Sequence, residues 1–346
     1  MVSSIGRGAG LALVLAGLSA CTKDASIGYL FEQGMKQGAL IVRAEPVERL
    51  LRDPALDPKT RGLLETSRRV IEFAERELGM KTGRNYRHFL RLDRNWVTKI
   101  VVAAPKDRLE PHLFRYPLFG GLPYKGFFNG EDADALGREL EAQGLDVYTR
   151  HVEAYSTTGW LPDPIISTML SSESRLVELL FHELTHANFY FHELADFNEA
   201  FASWMGFRGA ILFYEAEKKR DPSRAAHFEA MEAELRKSNE FQLKFSALVR
   251  EIVAKGKAIY ADGSTPLDAR REAYFGWIRA RLAADPVYAR VVNRPWNNAF
   301  IMGLGTYYTL VPAIEVYAEK QKLDPRAFLR KVLEGGPAIV PTIVGN

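Results

Sequence analysis

From Ser172 to its C-terminus the chain is predicted to be almost entirely helical, and this half sets the limits on the fold. A break at Asp221-Pro222-Ser223 interrupts the longest stretch, so that residues 197–261 form a helical hairpin. A series of helices like this predicts a helical body whose members bury apolar faces against one another. The predicted helices are 173–190, 197–220, 224–261, 266–283, 297–320 and 324–334.

The first half of the chain combines helices with a few strands. Residues 22–42 have enough aliphatic content to pack as a leading helix. Apolar residues recur at helical spacing over 46–78, which predicts two helices with a break near 53–58. β-Branched residues at 96–104 and a period-two alternation at 146–155 predict two strands.

A loop and a helix separate these two strands. Residues 114–129 are rich in glycine, proline and aromatic residues and are predicted to form the loop, whereas residues 131–143 are predicted to be helical. The sequence as a whole therefore predicts an α+β fold that is mostly α. In this fold a small, mostly antiparallel sheet precedes the helical body.

The composition is that of an ordinary globular protein, with 47% hydrophobic and 26% charged residues. The 46 basic and 43 acidic side chains leave a net charge of only +3. The basic residues are scattered along the chain instead of being clustered, so we expect no nucleic-acid partner.

The motif H-E-x-x-H occurs once, at His182 to His186, within the predicted helix 173–190. There the two histidines lie one turn apart on the same face, with their β-carbons about 5–6 Å apart. Two imidazoles at this spacing can share one zinc ion, and Glu183 projects from the neighbouring flank. The motif predicts metal-assisted hydrolysis, in which Glu183 accepts a proton from metal-bound water and passes it to the leaving amine.

A catalytic zinc ion usually has three protein ligands, so a third must come from elsewhere. Glu199, which opens the next predicted helix, is the main candidate. The run from Asp196 to Glu199 also fits a capping box, in which Glu199 would bond to the backbone N–H of Asp196. We favour the ligand role because two histidines alone leave zinc under-coordinated. His192 and Glu193, in the link between the helices, are the alternatives.

The N-terminus has the features of a lipoprotein signal peptide. Arg7 supplies a basic region, and the apolar segment 8–18 is too short to span a bilayer comfortably. The segment ends in Leu18-Ser19-Ala20-Cys21, which resembles the bacterial lipobox, and Cys21 is the only cysteine in the chain. We therefore expect residues 1–20 to be removed and Cys21 to be acylated, which makes a membrane the partner of the mature N-terminus.

The mature chain, residues 21–346, is then expected to form one domain with a lobe of helices and sheet at 21–165 and a helical lobe at 166–346. Thr22 follows the acylated cysteine. By resemblance to Gram-negative lipoproteins, this residue favours the periplasmic face of the outer membrane.

H-E-L-T-H at 182–186 with N-E-A-F-A at 198–202 is similar to the gluzincin metallopeptidases. The whole mature chain resembles a bacterial family of predicted zinc aminopeptidases, many of which carry lipoprotein signals. The matching features include the lipobox, the link at 155–160, and Asn297-Asn298-Ala299 with Tyr307. The resemblance implies a zincin-like fold with the metal site on two adjacent helices. It also implies zinc bound by His182, His186 and Glu199, with Glu183 as general base.

Two features depart from the gluzincin pattern. The span from His186 to Glu199 is shorter than in typical members. Ser203 stands where many members have an aspartate that orients a histidine, so the groups that orient the two histidines by hydrogen bonds stay unassigned.

The resemblance also implies roles in catalysis and substrate binding. A tyrosine in the C-terminal helical part would stabilise the oxyanion, and Tyr307 matches better than Tyr308. A strand at the cleft would pair with the substrate backbone, which is the role expected of 152–155 and the following loop. For the substrate's free amine, Glu153 and Asp163 are the acidic candidates. The predicted substrate-binding residues are Glu153, Tyr155, Gly159 and Trp160.

The activity expected from this pattern is a zinc-dependent metallopeptidase that acts as an aminopeptidase on peptide substrates. The alternatives are a zinc endopeptidase of the cell envelope and a non-catalytic lipoprotein that uses a zincin-like fold for binding. The intact Glu183 argues against the non-catalytic alternative, because a degenerate site would be expected to lose it.

Overall fold

The computed structural model describes residues 27–116, 120–154 and 161–345. Helices make up most of this part of the chain, and the strands belong to three small sheets, so the predicted α+β, mostly helical fold is confirmed. The helices are α1 (Ile27–Arg43), α2 (Val47–Leu50), α3 (Pro58–Arg76), α4 (Gly130–Ala142), α5 (Glu173–Asn188), α6 (Ala195–Arg220), α7 (Ala225–Ala261), α8 (Leu267–Ala283), α9 (Ala289–Val292), α10 (Asn298–Tyr308), α11 (Val311–Lys320), α12 (Pro325–Gly335) and α13 (Val340–Val344).

The strands are β1 (Glu45–Pro46), β2 (His88–Leu90), β3 (Thr98–Ala104), β4 (Phe114–Tyr116), β5 (Gly120–Leu122), β6 (Lys125–Phe127), β7 (Asp146–Val152) and β8 (Ile165–Ile166). The central sheet is antiparallel in the order β6–β3–β7, and Ile100 of β3 lies between Gly126 of β6 and Arg150 of β7. A second sheet, β1–β2–β8, contains the parallel pair β2–β8, and β4 and β5 form an antiparallel pair.

Two segments differ from their predicted structure. The stretch 114–129, predicted as a loop, contains β4, β5 and β6, each of which is only three residues long. Strands this short cannot display a period-two alternation, and the glycines and prolines beside them are typical of loops.

The predicted helix 297–320 is instead two helices, α10 and α11, separated at Thr309 and Leu310. Pro312 lies in the first turn of α11, where the missing N–H of proline costs no helical hydrogen bond. By length and composition, Asn298–Lys320 is apolar enough to cross a membrane. However, α10 packs against β3, β7 and α7, and α11 packs against α6, so both helices contribute to the body of the protein.

Each face of the central sheet packs against a different helix. On one face, Val101 belongs to the same apolar cluster as Ala133 of α4. On the other face, Ile100 belongs to the same cluster as Ala299 of α10. Side chains alternate between the faces of a strand, so the Ile100 face also carries Arg150. This face forms one wall of a large cleft.

Helices α5 and α6 form the opposite side of that cleft. The Ser172 hydroxyl caps α5 by accepting a hydrogen bond of 3.3 Å from the backbone N–H of Arg175. Leu176, Leu180 and Leu184 recur at four-residue spacing along α5 and are fully buried. Because these residues anchor one face of α5 in the main apolar core, the residues on its other face are held in a fixed position at the cleft.

Candidate metal centre

Helix α5 holds His182 and His186 with their rings directed at a common point. Their Nε2 atoms lie 3.2 Å apart, and the two ring planes are inclined at 80°. The side chains expose only 18% and 11% of their surface. This arrangement follows from the four-residue spacing of the motif, which places the two side chains one above the other on the helix.

Glu199 of α6 completes a group of three possible metal ligands. Its Oε2 atom lies 3.6 Å from Nε2 of His182 and 3.7 Å from Nε2 of His186. One donor atom from each of the three residues lies within 4.8 Å of the others. The structure therefore brings together the three residues that the sequence motif and the resemblance selected.

The alternative capping role of Glu199 is wrong. Helix α6 begins at Ala195, two residues earlier than predicted, and its N-cap is Leu194. Asp196 therefore lies inside the first turn, and the N-cap residue makes no side-chain capping hydrogen bond. The competition between capping and ligation, which the sequence left open, does not arise.

The alternative ligands His192 and Glu193 lie away from the histidine pair. Both side chains are exposed and pack beside Gly120. Glu193 has a φ of 59°, which allows the link between α5 and α6 to turn sharply. These two residues therefore shape the link and do not enter the metal-binding group.

Asn198 positions the first turn of α6. Its side-chain oxygen accepts a hydrogen bond of 3.0 Å from the backbone N–H of Phe191, and its Nδ2 donates one of 2.8 Å to the carbonyl of the same residue. The Asn198 side chain is only 2% exposed. Because it is the immediate neighbour of Glu199, this paired contact fixes the position of the candidate third ligand.

Gly206 allows α5 and α6 to approach closely behind the histidines. A Cβ atom at this position would lie 2.9 Å from the carbonyl oxygen of Glu178 and 3.3 Å from Cβ of His182. The first distance is shorter than normal packing allows, so any side chain here would push the helices apart. Because Gly206 has no side chain, His182 of α5 and Glu199 of α6 can lie close together.

The three donors fit a zinc ion. Nitrogen and carboxylate ligands lie about 2.0–2.2 Å from zinc, and tetrahedral geometry then places neighbouring donors about 3.3 Å apart. The His182–His186 separation of 3.2 Å matches this value, and the two Glu199 separations are slightly longer. Two imidazoles with one carboxylate is also a ligand set that is typical of catalytic zinc.

Glu183 lies next to this group and lines the cleft with only 7% of its surface exposed. Burial raises the pKa of its carboxyl group, and nearby His182 and His186 oppose that rise. For Glu199 burial would also raise the pKa, but contact with His182 and His186 lowers it well below its usual value. The pKa of Glu183 is thus raised, and that of its neighbour Glu199 is lowered. Such a pair suits acid–base chemistry, in which the group with the raised pKa exchanges the proton.

Tyr307 and Tyr124 add hydroxyl groups to the same region of the cleft. The Tyr124 hydroxyl donates to Oε1 of Glu199 at 3.4 Å. Burial raises the pKa of both Tyr307 and Tyr124, and the negative charge of Glu199 adds to both rises. Both hydroxyls therefore keep their protons at neutral pH and can donate hydrogen bonds.

Tyr124 was missed by the sequence prediction. It lies within the stretch that was predicted as a loop, and the aromatic richness of that stretch was the only signal for it. Tyr308 also lines the cleft, and its ring packs edge-on against Phe245 at 5.0 Å. That contact ties Tyr308 to the second apolar core, whereas Tyr307 lies within electrostatic reach of Glu199 and Glu183.

The predicted substrate-binding residues are located only in part. Glu153 follows β7 directly, is exposed and lines the cleft. Tyr155, Gly159 and Trp160 lie outside the described residues, as does Cys21. Asp163, the second candidate for the substrate amine, is 1% exposed, and its backbone N–H donates to the Asn85 side chain. Asp163 does not line the cleft, so it is unsuited to that role.

The cleft itself has a volume of about 1240 Å³. Its walls are the Ile100 face of the central sheet, helices α5 and α6, and the tyrosine-bearing end of α10. Helix α1 closes a further side with Tyr29, Gln33 and Gln37. A space of this size exceeds a typical small-molecule pocket and can accommodate a peptide.

The fold and the site define a mostly helical α+β protein in which a group of residues that could hold a metal ion lies in a peptide-sized cleft. The model of the family described as "Putative aminopeptidase" matches residues 28–335, and the chain belongs to this family. Comparisons with curated proteins and with solved structures find no match.

Proposed function

We propose that this protein is a zinc-dependent aminopeptidase. The observation that carries the proposal is the convergence of His182, His186 and Glu199 beside the buried Glu183, at a cleft that is large enough for a peptide. Membership of the aminopeptidase family supports the peptidase class. The spacing of the three donors supports zinc as the metal.

Zinc bound by these residues would supply a Lewis acid for the peptide carbonyl and would lower the pKa of a water molecule. Glu183 is suited to take the proton from that water, because burial raises the pKa of its carboxyl group from the usual value. The same carboxyl group then returns the proton to the leaving amine. Burial of Glu183 keeps bulk water from competing for this proton.

Tyr307 is the group that we assign to the developing oxyanion. Its hydroxyl stays protonated at neutral pH, and its ring is held against the guanidinium of Arg150 at 4.9 Å. A positioned donor of this kind stabilises negative charge more in the transition state than in the ground state. Tyr124, which donates to Glu199, is better placed to orient that ligand.

The free amine of the substrate is assigned to Glu153. Among the described residues, the backbone carbonyl of Glu153 accepts a hydrogen bond from the hydroxyl of Thr168, and its exposed side chain lines the cleft. An acidic group at this place gives preference to substrates with an unblocked N-terminus, as an aminopeptidase requires.

The first test measures bound metal and activity together. We expect the purified protein to contain about one zinc per chain, to lose activity with a chelator and to regain it with added zinc. Glu183→Gln should retain zinc and lose turnover. Metal-free protein that gains no activity with zinc contradicts the proposal, and a fully active Glu183→Gln protein contradicts the role of the base.

The second test concerns the type of peptidase. Aminoacyl fluorogenic substrates should be cleaved, whereas the same peptides with a blocked N-terminus should not be. Cleavage of the blocked peptides alone would indicate an endopeptidase. A Glu153→Gln variant, which keeps the size of the side chain, should lose most of the preference for the free amine.

We also propose that residues 1–20 are a signal peptide, that Cys21 carries the lipid, and that residues 21–346 form one domain at the periplasmic face of the outer membrane. The lipobox supports this proposal. In cells labelled with a fatty acid, the protein should incorporate the label and sediment with outer membranes, and Cys21→Ser should do neither. Label retained by Cys21→Ser contradicts the proposal.

A further inference from the structure

Arg150 is a cationic side chain inside the cleft to which the proposed chemistry gives no role beyond its contact with the Tyr307 ring. It lies near the middle of β7, on the sheet face that carries Ile100, and it lines the cleft. Across this face the three residues Gly126, Ile100 and Arg150 form one row. Gly126 has no side chain, and all three residues of the row line the cleft.

The charge of Arg150 has no carboxylate partner within 4.0 Å among the described residues. Its guanidinium instead lies over the Tyr307 ring at 4.9 Å. Burial alone would lower the pKa of Arg150, but the negative potential of Tyr307, Tyr148, Glu199 and Tyr124 raises it, so these groups keep the guanidinium charged. An arginine stays charged in proteins, and a partly buried charge without an ionic partner is unfavourable unless a ligand supplies one.

The second arginine of the cleft is different in this respect. Arg175, on α5, is half exposed and donates to Glu178 at 3.0 Å. Its charge is already balanced within the helix. The contrast identifies Arg150 as the cation that is available to an anionic group in the cleft.

The position of Arg150 relates it to the reaction centre. Tyr307 is in contact with Arg150 and is also within electrostatic reach of Glu199 and Glu183. A group bound by Arg150 is therefore close to the bond that Tyr307 would act upon. The guanidinium presents two parallel N–H donors, which match the two oxygens of a carboxylate.

We infer that Arg150 binds a carboxylate of the peptide substrate close to the scissile bond and so determines specificity for anionic substrates. This inference rests on the proposed peptidase function. The carboxylate comes either from the C-terminus of a short peptide or from an acidic side chain, since both present the same pair of oxygens.

The test measures binding without turnover, in Glu183→Gln protein, by isothermal titration calorimetry. Three probes are compared: leucyl-alanine, leucyl-alanine amide, and the α-amide of leucyl-aspartate. We expect tighter binding of one or both carboxylate-bearing probes than of leucyl-alanine amide. Adding Arg150→Met should weaken the preferred probe by about 10- to 100-fold and leave leucyl-alanine amide unchanged.

The two sources of carboxylate give different results. A preference for leucyl-alanine over its amide indicates the C-terminus of a short peptide, and a preference for the aspartyl amide indicates an acidic side chain. Arg281→Met is the matched control, because Arg281 is an exposed arginine that pairs with Glu251 outside the cleft. The binding constants of this control should equal those of the Glu183→Gln protein to which it is added.

Arg150→Lys provides a second variant that keeps the charge and loses the paired donors. It should retain part of the preference that Arg150→Met abolishes. With Glu183 restored, Arg150→Met should raise KM for the preferred substrate more than for leucyl-alanine amide. Any change in kcat that arises through the Tyr307 ring should be the same for both substrates. The inference is overturned if Arg150→Met weakens the binding of all three probes equally, or if it weakens the binding of none of them. Because the binding arm needs no turnover, its result is independent of whether the proposed zinc chemistry holds.

Discussion

The side chain of Asn198 makes two hydrogen bonds with the backbone of Phe191, one through each of its polar atoms. This paired contact joins the link after α5 to the first turn of α6. It explains how His186 and Glu199, only thirteen positions apart in the chain, can direct their side chains to the same point. The short span, which departs from the gluzincin pattern, is thus accommodated by one buried amide.

Asn198→Ala is therefore expected to reduce both stability and metal affinity. It leaves the N–H and the carbonyl of Phe191 without these partners in a buried place, which should lower the free energy of unfolding by about 2–4 kcal/mol. Zinc affinity should fall by about 10- to 100-fold because Glu199 loses its support. Chemical denaturation and chelator competition measure the two effects. Asn95→Ala, at an exposed position, is the control, and unchanged zinc affinity in Asn198→Ala would contradict this role.

Gly206→Ala is expected to separate α5 from α6. The added Cβ would meet the carbonyl oxygen of Glu178 at 2.9 Å, so the change should destabilise the fold by about 1–3 kcal/mol. It should also weaken zinc binding, since Cβ of His182 lies on the same side. Thermal unfolding and zinc titration check both results.

The matched control for that change is Gly276→Ala in α8, where no atom lies within 4 Å of the added Cβ. Helix propensity there should stabilise the protein by up to about 1 kcal/mol. Equal effects of the two alanine substitutions would show that the helix contact at Gly206 is unimportant.

Zinc affinity is expected to decrease as pH falls. A protonated imidazole cannot bind a metal, and burial of His186 is outweighed by the carboxylate of Glu199, which raises the pKa of the ring. On acidification, protons therefore begin to displace zinc at a higher pH than they would from an ordinary histidine. Zinc affinity is lost as the pH falls through the raised pKa of His186. Competition with a chromophoric chelator between about pH 5 and pH 8 would follow this loss.

Glu199→Gln changes that profile in a defined way. Zinc should bind more weakly at every pH because a ligand charge is lost. The acid limb of the profile, where zinc affinity falls as pH falls, should move to lower pH because the pKa of His186 is no longer raised. An acid limb at the same pH in both proteins would contradict the coupling of His186 to Glu199.

Tyr307→Phe is expected to lower kcat by about 100- to 1000-fold with little change in KM, because an oxyanion donor acts mainly in the transition state. Tyr308→Phe should have the smaller effect, since Tyr308 packs on Phe245. Steady-state kinetics of both variants on one aminoacyl substrate shows which of the two tyrosines is the oxyanion donor. A larger loss in Tyr308→Phe would reverse the assignment.

The metal-binding residues could be selected from the sequence because their chemistry is local. His182 and His186 are one helical turn apart, so their proximity follows from the helix alone. Glu199 needed an assumption about the next helix, and the capping alternative depended on a start that was misplaced by two residues. Helix starts of this kind are the least certain part of any sequence-based prediction.

Tyr124 and Arg150 could not be selected in the same way. Tyr124 lies between β5 and β6, whose length of three residues each gives no recognisable period. Arg150 lies in a strand that was predicted correctly, but its importance depends on Tyr307, which is 157 positions later in the chain. Only tertiary packing places the sheet against α10, and no local pattern records that contact.

Helix α1 has a practical consequence for production of this protein. Tyr29 bonds through its hydroxyl to the carbonyl of Gly126, and Lys36 pairs with Asp132 at 3.1 Å. A shortened gene that begins after residue 43, chosen to remove the N-terminal region, would also remove one wall of the cleft. Expression that retains Ile27–Arg43 and omits only the residues before it keeps the cavity intact for crystallisation and inhibitor screening.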